Sequence, residues 1–185
     1  MMETDFTPRP TEYRGVLFKS KSEAKYARLL DIVQPEIGWA YEPKDIAHIL
    51  TQITNSNYCP DFVGFVAAPG NRGFLCAVVE YKPKRPTDAY IREFFGVRCK
   101  YVQDALSPIV IVPIIHCVDF WGRSATQILN PQSTKLGVSQ FLPAYMTSKD
   151  VIGPEYVSSW DEVDQTGEYQ SVINEVNNYR FDIKQ

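Results

Sequence analysis

The spacing of two acidic residues around a single turn constrains the fold of this chain most. Tyr58–Ala67 and Phe74–Lys82 are rich in Phe, Val and Tyr, as β-strands are, and Pro69–Gly73 between them has the composition of a turn. An antiparallel hairpin folded about the centre of that turn places Asp61 opposite Glu80. Their Cβ atoms would then lie roughly 5 Å apart. Two carboxylates at that distance repel unless a cation or a proton lies between them, so the pattern predicts a cation site.

A lysine belongs to the same predicted face. Lys82 lies two residues after Glu80 and therefore points to the same side of the sheet. Two acids and a lysine at one place form a hard-cation site beside a positive charge, which suits hydrolysis of a phosphodiester. The alternative interpretation is an ordinary edge strand with Glu80 and Lys82 on its solvated face. The opposed register favours the site, because a slip of one residue would separate the two acids.

A third acid, Glu23, lies in a predicted amphipathic helix. Apolar residues recur at helical spacing from about Ser20 to Val33, namely Tyr26, Leu29, Leu30 and Val33. Glu23 lies at the border of that apolar face and therefore points toward the protein body. Ser20 and Glu23 also match a capping box, which would turn the glutamate back onto its own backbone. The sequence leaves both roles of Glu23 open, cap and active-site acid.

These segments together resemble the PD-(D/E)xK nuclease superfamily, which has the restriction-endonuclease-like fold. Phe18–Leu30 looks like its first helix with a Ser-x-x-Glu-Ala signature, and Trp39–Pro43 looks like the start of its first strand. Tyr58–Phe62 is similar to its Y-x-P-D-F strand, and Val79–Pro83 to its V-E-x-K-P strand. The resemblance covers about residues 13–115. The TnsA-like and phage-type endonucleases, which belong to phages and mobile elements, form the branch with the nearest pattern.

The resemblance implies a role for each site residue. Asp61 and Glu80 would be ligands of one Mg²⁺ or Mn²⁺ ion, together with the backbone carbonyl of Tyr81. Lys82 would be the catalytic lysine. Glu23 would be the auxiliary acid and a further candidate ligand. Tyr81 stands where valine is usual, which is a mild departure from the family pattern.

The chain after this strand predicts a second helix and a buried strand. Thr87 is a candidate N-cap for a helix that reaches about Gln103. Arg98 falls within the apolar face of that helix, as a phosphate contact or as a structural ion pair, and both interpretations stay open. Ile109–Val112 predicts a strand buried on both faces. The candidate contacts with nucleic acid are Lys21, Lys84, Arg85 and Arg98.

The expected fold class is therefore α/β, with a restriction-endonuclease-like core in the order αβββαβ. About four strands form a mixed sheet flanked by helices: Ile46–Thr54, Tyr58–Ala67, Phe74–Lys82 and Ile109–Val112. Residues 1–12 are expected to be a flexible arm and residues 13–118 the core. Residues 119–185 are expected to be an irregular and helical extension packed on the core. Its last helix would be capped by Ser159 and Glu162, with Tyr169, Val172, Ile173 and Val176 as its apolar stripe.

Charge and composition limit the partners. The chain has 185 residues and a formal charge of −3, which argues against a protein that coats nucleic acid. Residues 1–100 carry a surplus of two positive charges and residues 101–185 a surplus of five negative charges, so DNA is expected on the first half. No apolar run is long enough to cross a membrane. The four cysteines include no C-x-x-C pair and predict reduced core residues in a cytoplasmic protein.

The function expected from this reasoning is a metal-dependent endonuclease that hydrolyses DNA phosphodiester bonds. A partner protein of a recombination or transposition-type machine and a homodimer are also expected associations. The alternative is a non-catalytic nucleic-acid-binding or assembly protein that retains the nuclease fold. A second alternative is an unrelated α/β binding domain in which the motifs are coincidental. Metal binding separates these interpretations.

Overall fold

A computed structural model describes residues 8–33, 35, 37–54, 57–68, 72–100, 112–121, 125–129, 151–152, 155–159 and 168–184. These residues form a mixed α/β structure. Its elements, in chain order, are β1 (Thr11–Tyr13), β2 (Val16–Phe18), α1 (Lys21–Val33), β3 (Ile37–Tyr41), α2 (Lys44–Thr54), β4 (Phe62–Ala68), β5 (Arg72–Lys82), α3 (Asp88–Glu93, continued by a π-helical turn at Phe94–Arg98), β6 (Val112–Val118), β7 (Ala125–Leu129), β8 (Val151–Ile152), β9 (Glu155–Ser159), α4 (Glu168–Asn178) and β10 (Asp182–Ile183).

The main sheet has the strand order β3-β4-β5-β6-β7-β9-β8. The pairs β3–β4 and β4–β5 are antiparallel, whereas β5 and β6 are parallel, with Lys82 beside Cys117. A parallel pair needs a crossover connection, and α3 lies in that connection. The carboxyl ends of β5 and β6 therefore meet at one edge of the sheet. The strands β7, β9 and β8 continue the sheet with antiparallel pairing.

The predicted strand Ile46–Thr54 is wrong, because this segment is helix α2. Its apolar residues recur every three or four positions, at 46, 49, 50 and 53, which is a helical period that outweighs the β-branched composition. Pro43 precedes the helix and its carbonyl accepts the hydrogen bond of Ala47 N–H at 2.9 Å. The first strand of the meander is instead β3, which contains the Trp39–Tyr41 segment that resembled such a strand.

Alternation along β5 divides its side chains between two cores. Val79 and Tyr81 pack with Phe62 and with Tyr26 of α1 on one face of the sheet. Val78 belongs to the opposite face, in the cluster that contains the buried residues of α3 and its π-helical turn. Because successive residues of a strand point to opposite faces, Glu80 and Lys82 lie on the α3 side.

The second helix begins as predicted and then departs from regular geometry. Thr87 caps α3, and its hydroxyl accepts the hydrogen bond of Tyr90 N–H at 3.3 Å. The helix widens into the π-helical turn Phe94–Arg98. Its predicted end near Gln103 and residues 109–111 of the predicted fourth strand lie outside the described residues. The strand itself runs further along the chain than predicted, to Val118.

The small sheet β10-β1-β2 and the packing of helix α4 on α1 join residues 11–33 to residues 168–183. Thr11 is fully buried in β1, so the flexible arm predicted for residues 1–12 does not include its last two residues. The stripe predicted for the last helix is confirmed at Ile173 and Val176, which are buried. Ser159 lies in β9 and does not cap this helix, and Glu162 lies outside the described residues.

Two further expectations concern cysteines and membranes. Cys99 and Cys117 are buried free thiols, as predicted for core residues, whereas Cys59 is exposed because it lies in the bend before β4. In the described part of the chain, no helix combines the length and the hydropathy that a bilayer-spanning segment needs.

Candidate active site

The hairpin register predicted from the turn is confirmed at the end of the strands that carries the acids. Phe62 pairs with Val79 and Val63 pairs with Val78. This register, continued by one residue, sets Asp61 opposite Glu80. An irregularity between Gly64 and Phe65 shifts the pairing by one residue nearer the turn, so the simple register holds only on the acidic side of that shift.

Lys82 joins the two acids. Its ammonium nitrogen Nζ lies 2.9 Å from Glu80 Oε2 and 3.2 Å from Asp61 Oδ2. The backbone N–H of Tyr81 donates to Asp61 Oδ2 as well, at 3.0 Å. The Glu80 side chain is only 5% exposed, compared with 21% for Asp61 and 29% for Lys82. The structure therefore brings Asp61, Glu80 and Lys82 together in a cluster that is open to solvent on the Asp61 and Lys82 side.

Burial sets the protonation of this cluster. Burial raises the pKa of Asp61 to about 6, and the charge of Glu80 adds to the rise, while Lys82 and the Tyr81 N–H oppose it. Burial alone would lower the pKa of Lys82, but the charges of Glu80 and Asp61 raise it above the ordinary value. Lys82 is therefore a cation at neutral pH. One cation for two carboxylates leaves an excess of negative charge in a partly buried place.

Two tyrosines that the sequence reasoning did not assign to the site hold Glu80. Tyr58 Oη donates to Glu80 Oε1 at 3.1 Å, and Tyr90 Oη donates to Glu80 Oε2 at 2.8 Å. Burial raises the pKa of the Tyr90 phenol to about 12, and the charge of Glu80 adds to the rise, so the phenol keeps its proton. A buried tyrosine hydroxyl needs a partner, and the position of Tyr58 three residues before Asp61 was the available signal. The sequence contains no such signal for Tyr90, because this residue lies within the apolar stripe of its helix.

Glu23 forms the capping box that the sequence allowed. Its Oε2 accepts hydrogen bonds from Ser20 N–H at 2.7 Å and from Ser20 Oγ at 2.9 Å. In return, Glu23 N–H donates to Ser20 Oγ at 3.2 Å. Among the described residues, no hydrogen bond or ion pair joins Glu23 to the cluster of Asp61, Glu80 and Lys82. The cap is therefore the role that the geometry shows, and the active-site role of Glu23 stays a prediction.

The basic residues predicted to contact nucleic acid differ in their surroundings. Lys84 is exposed and Lys21 is half-buried in the first turn of α1. Arg85 is exposed and pairs with Asp88 at 3.2 Å. Arg98 pairs with Glu93 at 2.9 Å, which is the ion pair that one interpretation of the sequence anticipated. A role of these four residues in binding nucleic acid stays a prediction.

The oxygen atoms of the cluster of Asp61, Glu80 and Lys82 meet part of the needs of a divalent cation. Within the described residues, no group of three or more His, Cys, Asp or Glu side chains is arranged to hold a metal ion. The cluster offers two carboxylates, those of Asp61 and Glu80, and the role of the Tyr81 carbonyl oxygen as a further ligand stays a prediction. Mg²⁺ prefers oxygen ligands and keeps several waters, so a site with one or two carboxylates suits it. The residues present therefore fit a Mg²⁺ ion that is held largely by water.

Comparisons with known proteins add no relative. No protein-family model, curated protein or solved structure matches this chain. A partly buried pair of acids with a protonated lysine can hold a hard cation and can stabilise negative charge that develops on a bound phosphate.

Proposed function

We propose that this chain is a metal-dependent endonuclease with a restriction-endonuclease-like core, and that it hydrolyses phosphodiester bonds of DNA. The observation that carries the proposal is the contact of Lys82 with both Asp61 and Glu80, at 3.2 and 2.9 Å. The sheet is compatible with it, because β3, β4 and β5 pair antiparallel and β6 lies parallel to β5, although helix α2 stands between β3 and β4, where the expected order αβββαβ has no helix. The site then lies where strand β5 ends, at an edge that a DNA backbone can approach.

Each residue of the cluster has a role in this proposal. Asp61, Glu80 and the carbonyl oxygen of Tyr81 would hold Mg²⁺ or Mn²⁺, which supplies Lewis acidity and positive charge at the phosphate when bound. Two of the three N–H donors of Lys82 reach the carboxylates in the described structure, which leaves the third for a phosphate oxygen. Lys82 thereby stabilises the negative charge that grows on the phosphate during attack by water.

Two tyrosines and the strand geometry keep this arrangement fixed. Tyr58 and Tyr90 each donate to a different oxygen of Glu80, so the carboxylate cannot rotate freely. The Tyr81 N–H fixes Asp61 in the same way. Hydrogen bonds to the residues around a metal orient its ligands, and preorganised ligands lose less entropy when the ion binds.

A specific observation favours the second candidate function, a non-catalytic nucleic-acid-binding or assembly protein that retains the nuclease fold. Glu23 forms a capping box with Ser20, so the described cluster has only two acids. Lys82 already offsets one of the two charges. In a protein that only binds, this neutralised cluster would be a structural ion-pair network that needs no metal.

The experiment is a cleavage panel with labelled duplex, single-stranded, flap and branched DNA, with Mg²⁺ or Mn²⁺ and with EDTA as the metal-free control. Lys82→Ala is expected to lower the cleavage rate by on the order of 10²–10³. Lys44→Ala is the control, since Lys44 is an exposed lysine at the first position of α2 and belongs neither to the cluster nor to the candidate contacts with DNA, so its effect should be small. Full cleavage by a folded Lys82→Ala protein would refute the mechanism. Binding of DNA without cleavage in any condition would favour the second candidate.

Partners, assembly and compartment follow from the proposed activity. DNA is the proposed partner, with a protein of a recombination or transposition-type machine as a second partner, and a homodimer as the assembly. The proposed compartment is the cytoplasm, which agrees with the free thiols of Cys99 and Cys117. Size-exclusion chromatography with light scattering, with and without DNA, tests the homodimer.

A further inference from the structure

The π-helical turn after α3 aims one arginine at the site. In this turn the backbone N–H of Cys99 bonds to the carbonyl of Phe94, five residues before it. In a regular α-helix, residues five apart point about 140° away from each other. The wider turn brings Glu93 and Arg98 to the same side, with Arg98 Nη2 and Nε at 2.9 and 3.2 Å from Glu93 Oε1. Wide turns of this kind occur frequently at functional sites.

The guanidinium of Arg98 lies beside the two tyrosines that hold Glu80. Its Cζ atom is 5.4 Å from the centre of the Tyr90 ring and 5.9 Å from that of Tyr58. Lys82 Nζ lies 5.5 Å from the same Tyr90 ring. The two cations, Arg98 and Lys82, are therefore both placed around one ring whose hydroxyl binds the central carboxylate of the site.

The present partner of Arg98 is easily replaced. The side chain of Glu93 is 54% exposed and that of Arg98 is 33% exposed, and ion pairs in such surroundings contribute little to stability. The planar guanidinium matches phosphate oxygens as well as it matches a carboxylate. A phosphate that reaches Lys82 from solvent would bring neighbouring backbone phosphates of the same strand close to Arg98.

We propose, resting on the proposed function, that Arg98 binds a DNA phosphate beside the cluster and that Glu93 is its internal competitor. In the free protein the guanidinium of Arg98 donates its hydrogen bonds to the carboxylate of Glu93. When DNA binds, a phosphate replaces the carboxylate, and the exposed Glu93 turns to solvent. The π-helical turn is required because it places both partners of Arg98, the carboxylate and the tyrosine rings, within reach of one guanidinium.

The experiment measures binding of a short fluorescein-labelled DNA duplex, and of its single strand, by anisotropy with EDTA, so that cleavage is absent. Glu93→Gln should bind several-fold more tightly and Arg98→Gln several-fold more weakly. The salt dependence of binding should fall by about one counterion in Arg98→Gln. The double variant should equal Arg98→Gln, because Glu93 acts only through Arg98. Glu175→Gln is the matched control, since Glu175 is a similarly exposed glutamate that pairs with Arg28, which is not among the candidate contacts with nucleic acid.

The outcomes separate this inference from the proposed function. Equal tightening by Glu175→Gln and Glu93→Gln would overturn it, because the effect would then come from the net charge of the protein. A Glu93→Gln effect that persists in the Arg98→Gln background would also overturn it. Cleavage of DNA without the expected pattern refutes this inference alone, whereas the pattern without cleavage supports it and refutes the endonuclease. Absence of DNA binding by the wild type refutes this inference, whereas the cleavage panel decides the endonuclease separately.

Folding of the variants is followed by thermal unfolding in the same buffer. Should Arg98→Gln fail to fold, Arg98→Lys keeps the charge but loses the planar fork, and it is expected to weaken binding less than the loss of charge would. The Glu93→Gln variant, which loses only an exposed carboxylate, then still tests the competition. Unchanged binding in both Glu93→Gln and Arg98→Lys would overturn the inference.

Discussion

Replacement of Asp61 by asparagine is expected to stabilise the metal-free protein at neutral pH. Asparagine keeps the shape of the side chain and one oxygen that can accept the hydrogen bonds of Tyr81 N–H and Lys82 Nζ, which lie 3.0 and 3.2 Å away. It removes the negative charge beside the nearly buried carboxylate of Glu80. Because burial disfavours the charged carboxylate of Asp61, removal of this charge should increase the free energy of unfolding.

The expected size follows from the pKa of Asp61, which rises from 3.8 to about 6 in the folded protein. Each unit corresponds to about 1.4 kcal/mol, so the shift sets an upper value of about 3 kcal/mol. The side chain is 21% exposed and solvent reduces the effect, so we expect about 1–3 kcal/mol. The protonated carboxyl favours the fold below pH 3.8, and this contribution is lost as the pH rises through about 6. The advantage of Asp61→Asn should therefore be small in acid and complete at neutral pH.

The assay is urea denaturation followed by circular dichroism, in EDTA, from about pH 4 to about pH 8. Asp45→Asn is the control, since Asp45 is an exposed aspartate in the first turn of α2. It should show no comparable gain between acid and neutral pH. A variant Asp61→Asn that is less stable than the wild type at neutral pH would refute the reasoning. So would a gain that does not change with pH.

Three further outcomes are expected. Mg²⁺ or Mn²⁺ should raise the melting temperature of the wild type, because an ion that binds only the folded state stabilises it. Glu80→Gln should reduce that rise, whereas Glu93→Gln should leave the rise unchanged. A rise in Glu80→Gln equal to that of the wild type would exclude Glu80 as a metal ligand. Tyr58→Phe should lower the free energy of unfolding by about 1.5–3 kcal/mol in urea titrations, because it removes a hydrogen bond to a buried charge, and an unchanged value would contradict that role. Glu23→Gln should leave the free energy of unfolding nearly unchanged, because glutamine also completes a capping box. Strong loss of cleavage in this variant would therefore assign Glu23 to the active site, whereas retained cleavage would show that Glu23 is only a cap.

The cluster could be predicted from the sequence because it depends on local relations. Alternation within a strand relates Glu80 to Lys82, and the turn between β4 and β5 relates Glu80 to Asp61. The capping box of Ser20 and Glu23 was readable for the same reason, since a span of four residues determines it. Each of these relations is fixed by short-range geometry before the rest of the chain is considered.

Other features could not be read because distant residues decide them. Tyr90 reaches Glu80 only through the crossover that folds α3 back on the sheet. The π-helical turn at Phe94–Arg98 differs from an α-helix in that the Cys99 N–H bonds to the carbonyl five residues before it instead of four, and no residue type marks such a turn. The strand predicted at Ile46–Thr54 is a different case, because no distant residue is needed to correct it: the apolar residues of helix α2 recur at helical spacing. The β-branched composition of this segment favours a strand, whereas the spacing of its apolar residues favours the helix.

The contact of α4 with α1 has a consequence for the order in which the molecule can assemble. Lys25 is 2% exposed, its ammonium donates to Asn177 at 2.6 Å, and the two residues are 152 positions apart. Until residues 168–184 have been synthesised, α1 lacks the amide that satisfies this ammonium, and β1 lacks its neighbour β10. Contacts of such sequence separation form late and slowly. An emerging chain that lacks residues 168–184 therefore carries its acidic cluster on a scaffold without these two contacts.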